Sequence, residues 1–341
     1  MTGPTALADA EADLAARYEV AMHRAETSGD LRDLERLLAR AAELLGASNR
    51  IALLVECGLE EMKSRARPLT ESVEVWEALW WRASAALPSD DPTLMSARAF
   101  RARYRRRRGR SEDLEAGVES YRRQWEQRRE ALGVDHYRTR VMHANLALAV
   151  RDRDADGDLD EALRMLRDEV AHRIANYGEQ HPFTWIVRSV LAQTLVRAAE
   201  RAPGPARRAE LAGEAAEIAG SLADGRRIRF GVADISTLRA QLVHAHALVL
   251  LGRAAEAVPE IRHVHSKARW ARVPLEPGWA ESLLARAEAG AGEPSEALRW
   301  AEESHRLKAG YFPPGSRQVV EAERLLSRLR EDAPFDSTHR S

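Results

Sequence analysis

The sequence has little of what several protein classes require. Cys57 is the single cysteine among 341 residues, which excludes a disulfide framework and a thiolate metal cluster. No run approaches the ~18 apolar residues of a membrane-spanning helix, and the first ten residues lack the pattern of a secretion signal. A formal net charge of −1 provides no overall field to attract nucleic acid or an anionic membrane. These absences predict a cytoplasmic protein that does not contact membranes.

Motifs for catalysis are also missing. The sequence contains no G-x-G-x-x-G, no P-loop, no H-E-x-x-H and no glycine-flanked serine elbow. We therefore expect a protein that is not an enzyme, with no catalytic residue, no bound metal and no cofactor.

Two features point to a packed interior. Cys57 ends an apolar run that starts at Ile51, which predicts a buried structural thiol because free cysteine behaves as a small hydrophobe. Trp76 and Trp80 are four residues apart and would share a helix face. We expect them to pack between neighbouring helical hairpins.

The residues that are abundant favour helices. Ala, Leu, Arg and Glu dominate, and charged residues make up 31% of the chain. No segment alternates with period two for long enough to indicate a strand. The predicted helices cover residues 5–28, 31–45, a segment that begins after the candidate N-cap Ser48, 69–87 and 318–330, followed by a polar disordered tail over 331–341.

A short phrase, G-x-x-x-E-A-[LV], recurs along the chain. It begins at Gly157, Gly252 and Gly292, and looser copies contain Glu115 and Glu214. The five Glu-Ala pairs are separated by 46, 53, 42 and 40 residues, and a period of this size indicates a helical repeat array. The glycine is predicted to form the turn within a helical pair, and the alanine to let its two helices approach closely.

A second phrase marks the start of each helical pair. Its copies span residues 133–139 and 178–184, with degraded copies that begin at Gly231 and Gly310. The glycine is predicted to end the preceding helix in a left-handed conformation. Thr, Asp or Ser within the phrase is predicted to cap the next helix, while His136 and His181 are interpreted as turn residues.

Together the two phrases resemble the tetratricopeptide repeat (TPR), most closely the ~42-residue variety of kinesin light chains and many bacterial regulatory proteins. The resemblance covers residues 90–330. It implies an all-α fold, a right-handed α-solenoid of about seven antiparallel helical hairpins that form a TPR-like superhelix. Residues 1–90 would form TPR-like N-terminal hairpins, 91–330 the repeat array and 331–341 the disordered tail.

The resemblance also implies where a partner binds. In this family the first helix of each pair lines a concave groove, and an asparagine before Leu-Ala holds the backbone of a bound peptide. That residue is Asn145 here, but Val190 and Val243 stand at the next two equivalent positions, so the asparagine ladder is mostly absent. The same face carries further candidate groove residues: Gln193, Arg197, Arg239 and His246. These imply a partly basic groove suited to an acidic protein or peptide segment.

A basic patch precedes the best-kept repeats. Arg98, Arg101, Arg105 and Arg108 follow the spacing of one helix stripe. The stripe is either a solvated face balanced by the acid-rich first 60 residues, a grip for an acidic partner, or a contact to phosphates. Few aromatic residues are interleaved for base stacking, which disfavours nucleic acid. Residues 1–60 could also occlude the groove.

Four histidines flank one predicted turn. His244 and His246 precede Gly252, and His263 and His265 follow it at similar distances, on the two helices of one hairpin. A transition metal accepts two imidazoles but needs further ligands that this segment does not supply. Packing or solvent-facing histidines are therefore expected, with a metal site as the alternative.

The sequence thus favours a non-enzymatic scaffold or regulatory adaptor, in a bacterial regulatory complex, that binds a protein or peptide segment in a concave groove. Two alternatives stay open. One is a regulator that contacts nucleic acid through residues 98–129, and the other is a small-molecule or metal-binding sensor or enzyme that uses residues 244–265. The sequence does not define the oligomeric state.

Overall fold

The structure is a computed structural model that describes residues 4–65, 67–89 and 91–332. These residues form fifteen α-helices and no strand, which confirms the all-α prediction. None of the described helices has the length and hydropathy needed to cross a bilayer. The helices are α1 Pro4–Ser28, α2 Arg32–Leu45, α3 Arg50–Lys63, α4 Leu69–Ala86, α5 Pro92–Arg108, α6 Ser111–Leu132, α7 Tyr137–Arg153, α8 Asp158–Tyr177, α9 Pro182–Arg201, α10 Pro205–Phe230, α11 Ile235–Leu250, α12 Ala254–Trp270, α13 Trp279–Gly290, α14 Pro294–Tyr311 and α15 Arg317–Asp332.

The predicted helix bounds agree with these to within about two residues. The prediction of a disordered tail over 331–341 is wrong for its first two residues, because α15 continues through Glu331 to Asp332. The rest of that predicted tail lies outside the described residues.

The chain divides into two compact units. The N-terminal unit comprises Met1–Arg108 with Tyr311–Pro313, and the C-terminal unit comprises Gly109–Gly310 with Pro314–Ser341. The domain boundary predicted near residue 90 rests on where the repeat phrases begin, whereas the division into units rests on compactness. The predicted boundary therefore stays a prediction.

The core of the N-terminal unit is built by amphipathic helices. On α2, Leu34, Leu37 and Ala41 recur at helical spacing and are all buried. They pack with Leu14 of α1 and Ile51 of α3 in one apolar cluster. The three helices α1, α2 and α3 therefore contact one another around a shared core.

The C-terminal unit repeats one helical pair. Helices that follow one another in the chain are in contact from α6 through α13. In addition, α7 contacts α9, α9 contacts α11 and α11 contacts α13. These four helices, which we call the A helices, thus form one layer. The alanine of the Glu-Ala pair is fully buried in four of the five copies, as the close-approach prediction requires: Ala162, Ala215, Ala257 and Ala297. Neighbouring pairs stack as in a solenoid.

The same turn precedes α3, α7, α9 and α11. The preceding helices end at Gly46, Gly133, Gly178 and Gly231, with φ between 85° and 93° and ψ between 148° and 171°. This positive-φ extended region is essentially restricted to glycine. The predicted left-handed helical conformation is therefore right in the sign of φ but wrong in ψ.

The capping residue of this turn lies three positions after the glycine. Its side chain accepts a hydrogen bond from the backbone N–H two residues further on, at Asn49, His136, His181 and Asp234. Asn49 rather than the predicted Ser48 is thus the N-cap of α3. The Thr184 hydroxyl does not cap α9; it donates instead to the backbone carbonyl of Gly178 at 2.8 Å.

Replacing Gly178 by alanine is expected to destabilise the protein by about 1–3 kcal/mol. No atom lies within 4 Å of the added Cβ, so the cost is in the backbone, where φ is +87°. Gly213 is the matched control because it also has open space but lies inside α10. Gly213→Ala should stabilise by about 0.5–1 kcal/mol. Urea unfolding of both variants measures the difference, and shifts of the same sign would refute this account of the turn.

Cys57 is buried in α3, as predicted. Burial, assisted by the neighbouring charge of Glu56, raises the pKa of its thiol to about 12. Because the thiolate is the nucleophile, we expect Ellman's reagent to label native protein at pH 8 only as fast as it unfolds. Protein unfolded in urea should react at once. Immediate labelling of the native protein at the unfolded rate would contradict this burial.

Candidate functional site

The structure separates the five predicted groove residues into three environments. Asn145 is half-buried on α7. Arg197 forms an ion pair with Asp154 and His246 lies beside Glu200, and both contacts link neighbouring A helices. Gln193 and Arg239 line a pocket between α9, α10 and α11. The residues share the A-helix layer but do not meet at one point.

The first ion-pair group centres on Asp154 at the end of α7. Its carboxylate pairs with Arg197 Nη2 at 2.6 Å, with Arg317 Nη1 at 2.7 Å and with Arg201. Burial raises the pKa of Asp154, although Arg317 and Arg201 act against that shift. Arg197 is therefore held by its own chain, and α7, α9 and α15 are joined at this point.

The second group centres on Glu200 of α9. Its Oε1 lies 3.2 Å from His246 Nε2 of α11 and 3.0 Å from Arg286 Nη1 of α13. Burial alone would raise the pKa of Glu200, but His246 and Arg286 outweigh it and hold that pKa below its usual range. His246 therefore connects helices rather than presenting a free imidazole.

The pocket lies between α9, α10 and α11 and has a volume of about 190 Å³. Leu222, Ile235 and Val243 contribute apolar walls. The residues that line it include two arginines, Arg226 and Arg239, and no carboxylate. The pocket thus combines an apolar wall with positive charge.

Arg226 is the charged group of this pocket that the sequence did not reveal. Its side chain is buried, with 7% of the residue exposed. Nη1 donates to the Ser236 carbonyl at 3.0 Å, and Nη2 donates to the Trp185 carbonyl at 3.1 Å and to Ser189 Oγ at 2.6 Å. Burial lowers the pKa of Arg226, and the charge of Asp234 opposes that shift.

A stripe of exposed apolar side chains runs along the start of two A helices. On α7 it comprises Tyr137 and Val141, and on α9 it comprises Phe183 and Ile186. At helical spacing these side chains continue toward Asn145 and Gln193. We call these six residues the A-helix stripe: Tyr137, Val141, Asn145, Phe183, Ile186 and Gln193.

The predicted basic patch lies on α5 in the N-terminal unit. The guanidinium of Arg101 stacks 3.8 Å from the ring centroid of Trp80, and its Nε donates to Glu77 Oε2 at 2.8 Å. Arg105 also pairs with Glu77, whereas Arg98 is exposed and Arg108 is half-buried. Glu77 therefore offsets part of the positive charge in the middle of this arginine row.

The structure gives the clustered histidines separate partners. His244 Nδ1 lies 2.8 Å from Glu260 Oε2, and His265 Nε2 lies 3.0 Å from Glu281 Oε1. His263 is exposed. Over residues 4–65, 67–89 and 91–332, no three His, Cys, Asp or Glu side chains are placed to hold a metal ion.

No protein-family profile matches the chain, and no curated protein matches it in sequence. Solved structures, in contrast, do match the chain. The chain is similar to the nearly identical TPR-like repeats of a kinesin light chain from Podosopora anserina, at 19% identity and TM-score 0.45, over 61% of this chain and 93% of that one. A single-substitution form of those repeats is similar at 19% identity and TM-score 0.46, over 61% of this chain and 92% of that one. BtubC (BKLC) from P. vanneervenii is similar at 12% identity and TM-score 0.40, over 91% of this chain and 95% of that one. The predicted likeness to TPR-like structures is found, with TM-scores of 0.40 to 0.46.

Proposed function

We propose that this protein is a non-enzymatic scaffold that binds a segment of another protein on the A-helix stripe. The observation that carries the proposal is the pair of exposed apolar side chains at equivalent positions of α7 and α9, Val141 and Ile186. Val141 is 40% exposed and Ile186 is 55% exposed. Contiguous exposed apolar surface on a folded protein marks an interaction site, and solenoids use the extended surface of one helix layer for binding.

The charges around the stripe limit how a partner could bind. Arg197 and His246 are already paired with carboxylates of the chain, so they add little net positive charge. Asn145 and Gln193 are the candidate polar contacts beside the apolar row. A partner segment would place apolar side chains on Val141 and Ile186 and use its polar groups at these two residues.

The test compares two isoleucines. Ile186 lies on the A-helix stripe, whereas Ile228 lies near the end of α10 and is 81% exposed. Tagged wild-type protein, Ile186→Asp, Val141→Asp and Ile228→Asp would be used to capture partners from the native host. A recovered partner would then be purified and titrated against all four proteins.

We expect a partner that binds wild-type and Ile228→Asp equally and binds Ile186→Asp and Val141→Asp at least about tenfold more weakly, a loss typical of a central interface residue. Equal binding by all four proteins would place the interface elsewhere. Absence of any reproducible partner, at low and at physiological salt, would count against a scaffold.

A further inference from the structure

We propose that the pocket between α9, α10 and α11 binds a small organic monocarboxylate. The carboxylate would pair with Arg226, and the apolar body of the ligand would lie against Leu222, Ile235 and Val243. The proposal goes beyond the partner-binding function and does not depend on it, because it concerns a ligand that the isolated protein would bind.

Arg226 places a buried positive charge at the pocket. A buried cation is costly unless it is paired with an anion. Arg226 donates hydrogen bonds to neutral oxygens, those of two backbone carbonyls and of the Ser189 hydroxyl. Asp234, whose charge acts on Arg226, accepts hydrogen bonds from the Ser236 and Thr237 amides as the N-cap of α11. A ligand carboxylate would supply the anion that the pocket walls lack.

The size of the pocket sets the size of the ligand. An engineered apolar cavity of about 150 Å³ holds benzene, whereas drug-sized ligands need about 300–1,000 Å³. A pocket of about 190 Å³ therefore fits one ring or one short aliphatic chain together with a carboxylate. Benzoate and hexanoate have this size.

The walls favour an apolar body over a polar one. Ala192, Ala219 and Ala240 line the pocket with methyl groups and leave the space that a ligand would fill. The polar side chains that line it are those of Ser189, Ser236, Gln193 and the two arginines. A sugar or a polyol would leave hydroxyls against the alanines without partners, at a cost for each.

The experiment is calorimetric titration of the purified protein in a carboxylate-free buffer at low salt. The probes are benzoate and hexanoate, their uncharged analogues benzamide and hexanamide, and acetate. We expect at least one of the two larger acids to bind saturably with a Kd below about 1 mM. Its amide should bind at least about tenfold more weakly, because hydrogen bonds to an ionised group are roughly twice as strong as neutral ones.

Two variants test the position of the site. Ala240→Leu fills the pocket, and Arg226→Gln removes its buried charge. Each should weaken binding at least about tenfold, equivalent to about 1.4 kcal/mol. Arg229→Gln is the matched control, since Arg229 is exposed three residues away on the same helix, and it should bind as wild type does. If Arg226→Gln does not fold, as judged by circular dichroism, then Ala240→Leu and the acid–amide comparison decide.

The outcomes separate clearly. The site is supported if the acid binds wild type saturably, its amide binds wild type more weakly, and the acid binds Ala240→Leu more weakly. Absence of saturable binding up to about 20 mM, far above the expected Kd, overturns it. An amide that binds as tightly as its acid overturns the role of Arg226. Binding that Ala240→Leu leaves unchanged would place the ligand elsewhere. None of these results depends on whether a protein partner is found.

Discussion

Glu169→Ala is expected to destabilise the protein by about 3–5 kcal/mol, the cost of breaking a buried ion pair. Glu169 of α8 is 0% exposed. Its Oε2 lies 2.9 Å from Arg140 Nε of α7, and its Oε1 accepts a hydrogen bond from Arg173 Nε at 2.8 Å. Removing the carboxylate leaves the buried Arg140 without its buried partner.

Asp168 provides the control for this prediction. It also pairs with Arg140, at 3.0 Å from Nη1, but its side chain is 59% exposed. Asp168→Ala should therefore cost no more than about 1 kcal/mol, as exposed ion pairs do. Urea unfolding at pH 7 compares the two variants. Equal losses of unfolding free energy would show that burial of Glu169 does not set the strength of this network.

The contribution of Glu169 should also fade in acid. Burial alone would raise the pKa of Glu169, but His143 and Arg173, with the charge of Arg140, hold it below its usual range. A lowered folded-state pKa stabilises the fold above the unfolded-state pKa, and that stability is lost as pH falls through the folded-state pKa. The difference in unfolding free energy between wild type and Glu169→Gln should thus be largest near pH 7 and shrink in acid. A difference that grows in acid would contradict the sign of the shift.

Trp76→Ala is expected to cost about 3–5 kcal/mol, the range for truncating a buried tryptophan. Trp76 of α4 is fully buried and stacks on two rings of α5, with centroids 4.6 Å from Phe100 and 6.1 Å from Tyr104. Its Nε1 donates to Ser64 Oγ at 3.1 Å, so truncation also leaves a buried hydroxyl without that donor.

Trp81 is the matched control in the same helix. It is 65% exposed, and its ring contacts only the neighbouring Trp80 among the described ring pairs. Trp81→Ala should change the unfolding free energy by less than about 1 kcal/mol. Thermal unfolding followed by circular dichroism measures both variants. A large loss for Trp81→Ala with a small one for Trp76→Ala would reverse the packing described for α4 and α5.

The fold could be predicted from the sequence where local chemistry decides it. Glycine is the residue that tolerates the positive φ at Gly133 and Gly178, so the turns that separate the helices are visible as repeated letters. Alanine is small enough to let the two helices of a pair approach closely, and it is buried in four of the five Glu-Ala pairs. The capping role of His136 and His181 was missed because an imidazole is not among the usual N-cap side chains.

The site could be predicted only in part, because long-range partners decide which side chains stay available. Arg197 and Asp154 are 43 residues apart, and no local pattern indicates that they pair. Arg226 lies in an arginine-rich helix end, where its burial among neutral acceptors leaves no trace in the sequence. The alignment of Val141 with Ile186 could have been found, since both lie eight residues after the glycine of their turn.

Site-specific photocrosslinking in the native host tests the partner-binding surface most directly. Benzoylphenylalanine would be placed at Val141 on the A-helix stripe and, as the control, at the exposed Arg164 of α8. We predict a discrete crosslinked adduct with another protein from position 141 and none from position 164. Adducts of equal yield from both positions, or an adduct from position 164 alone, would contradict binding through the A-helix stripe.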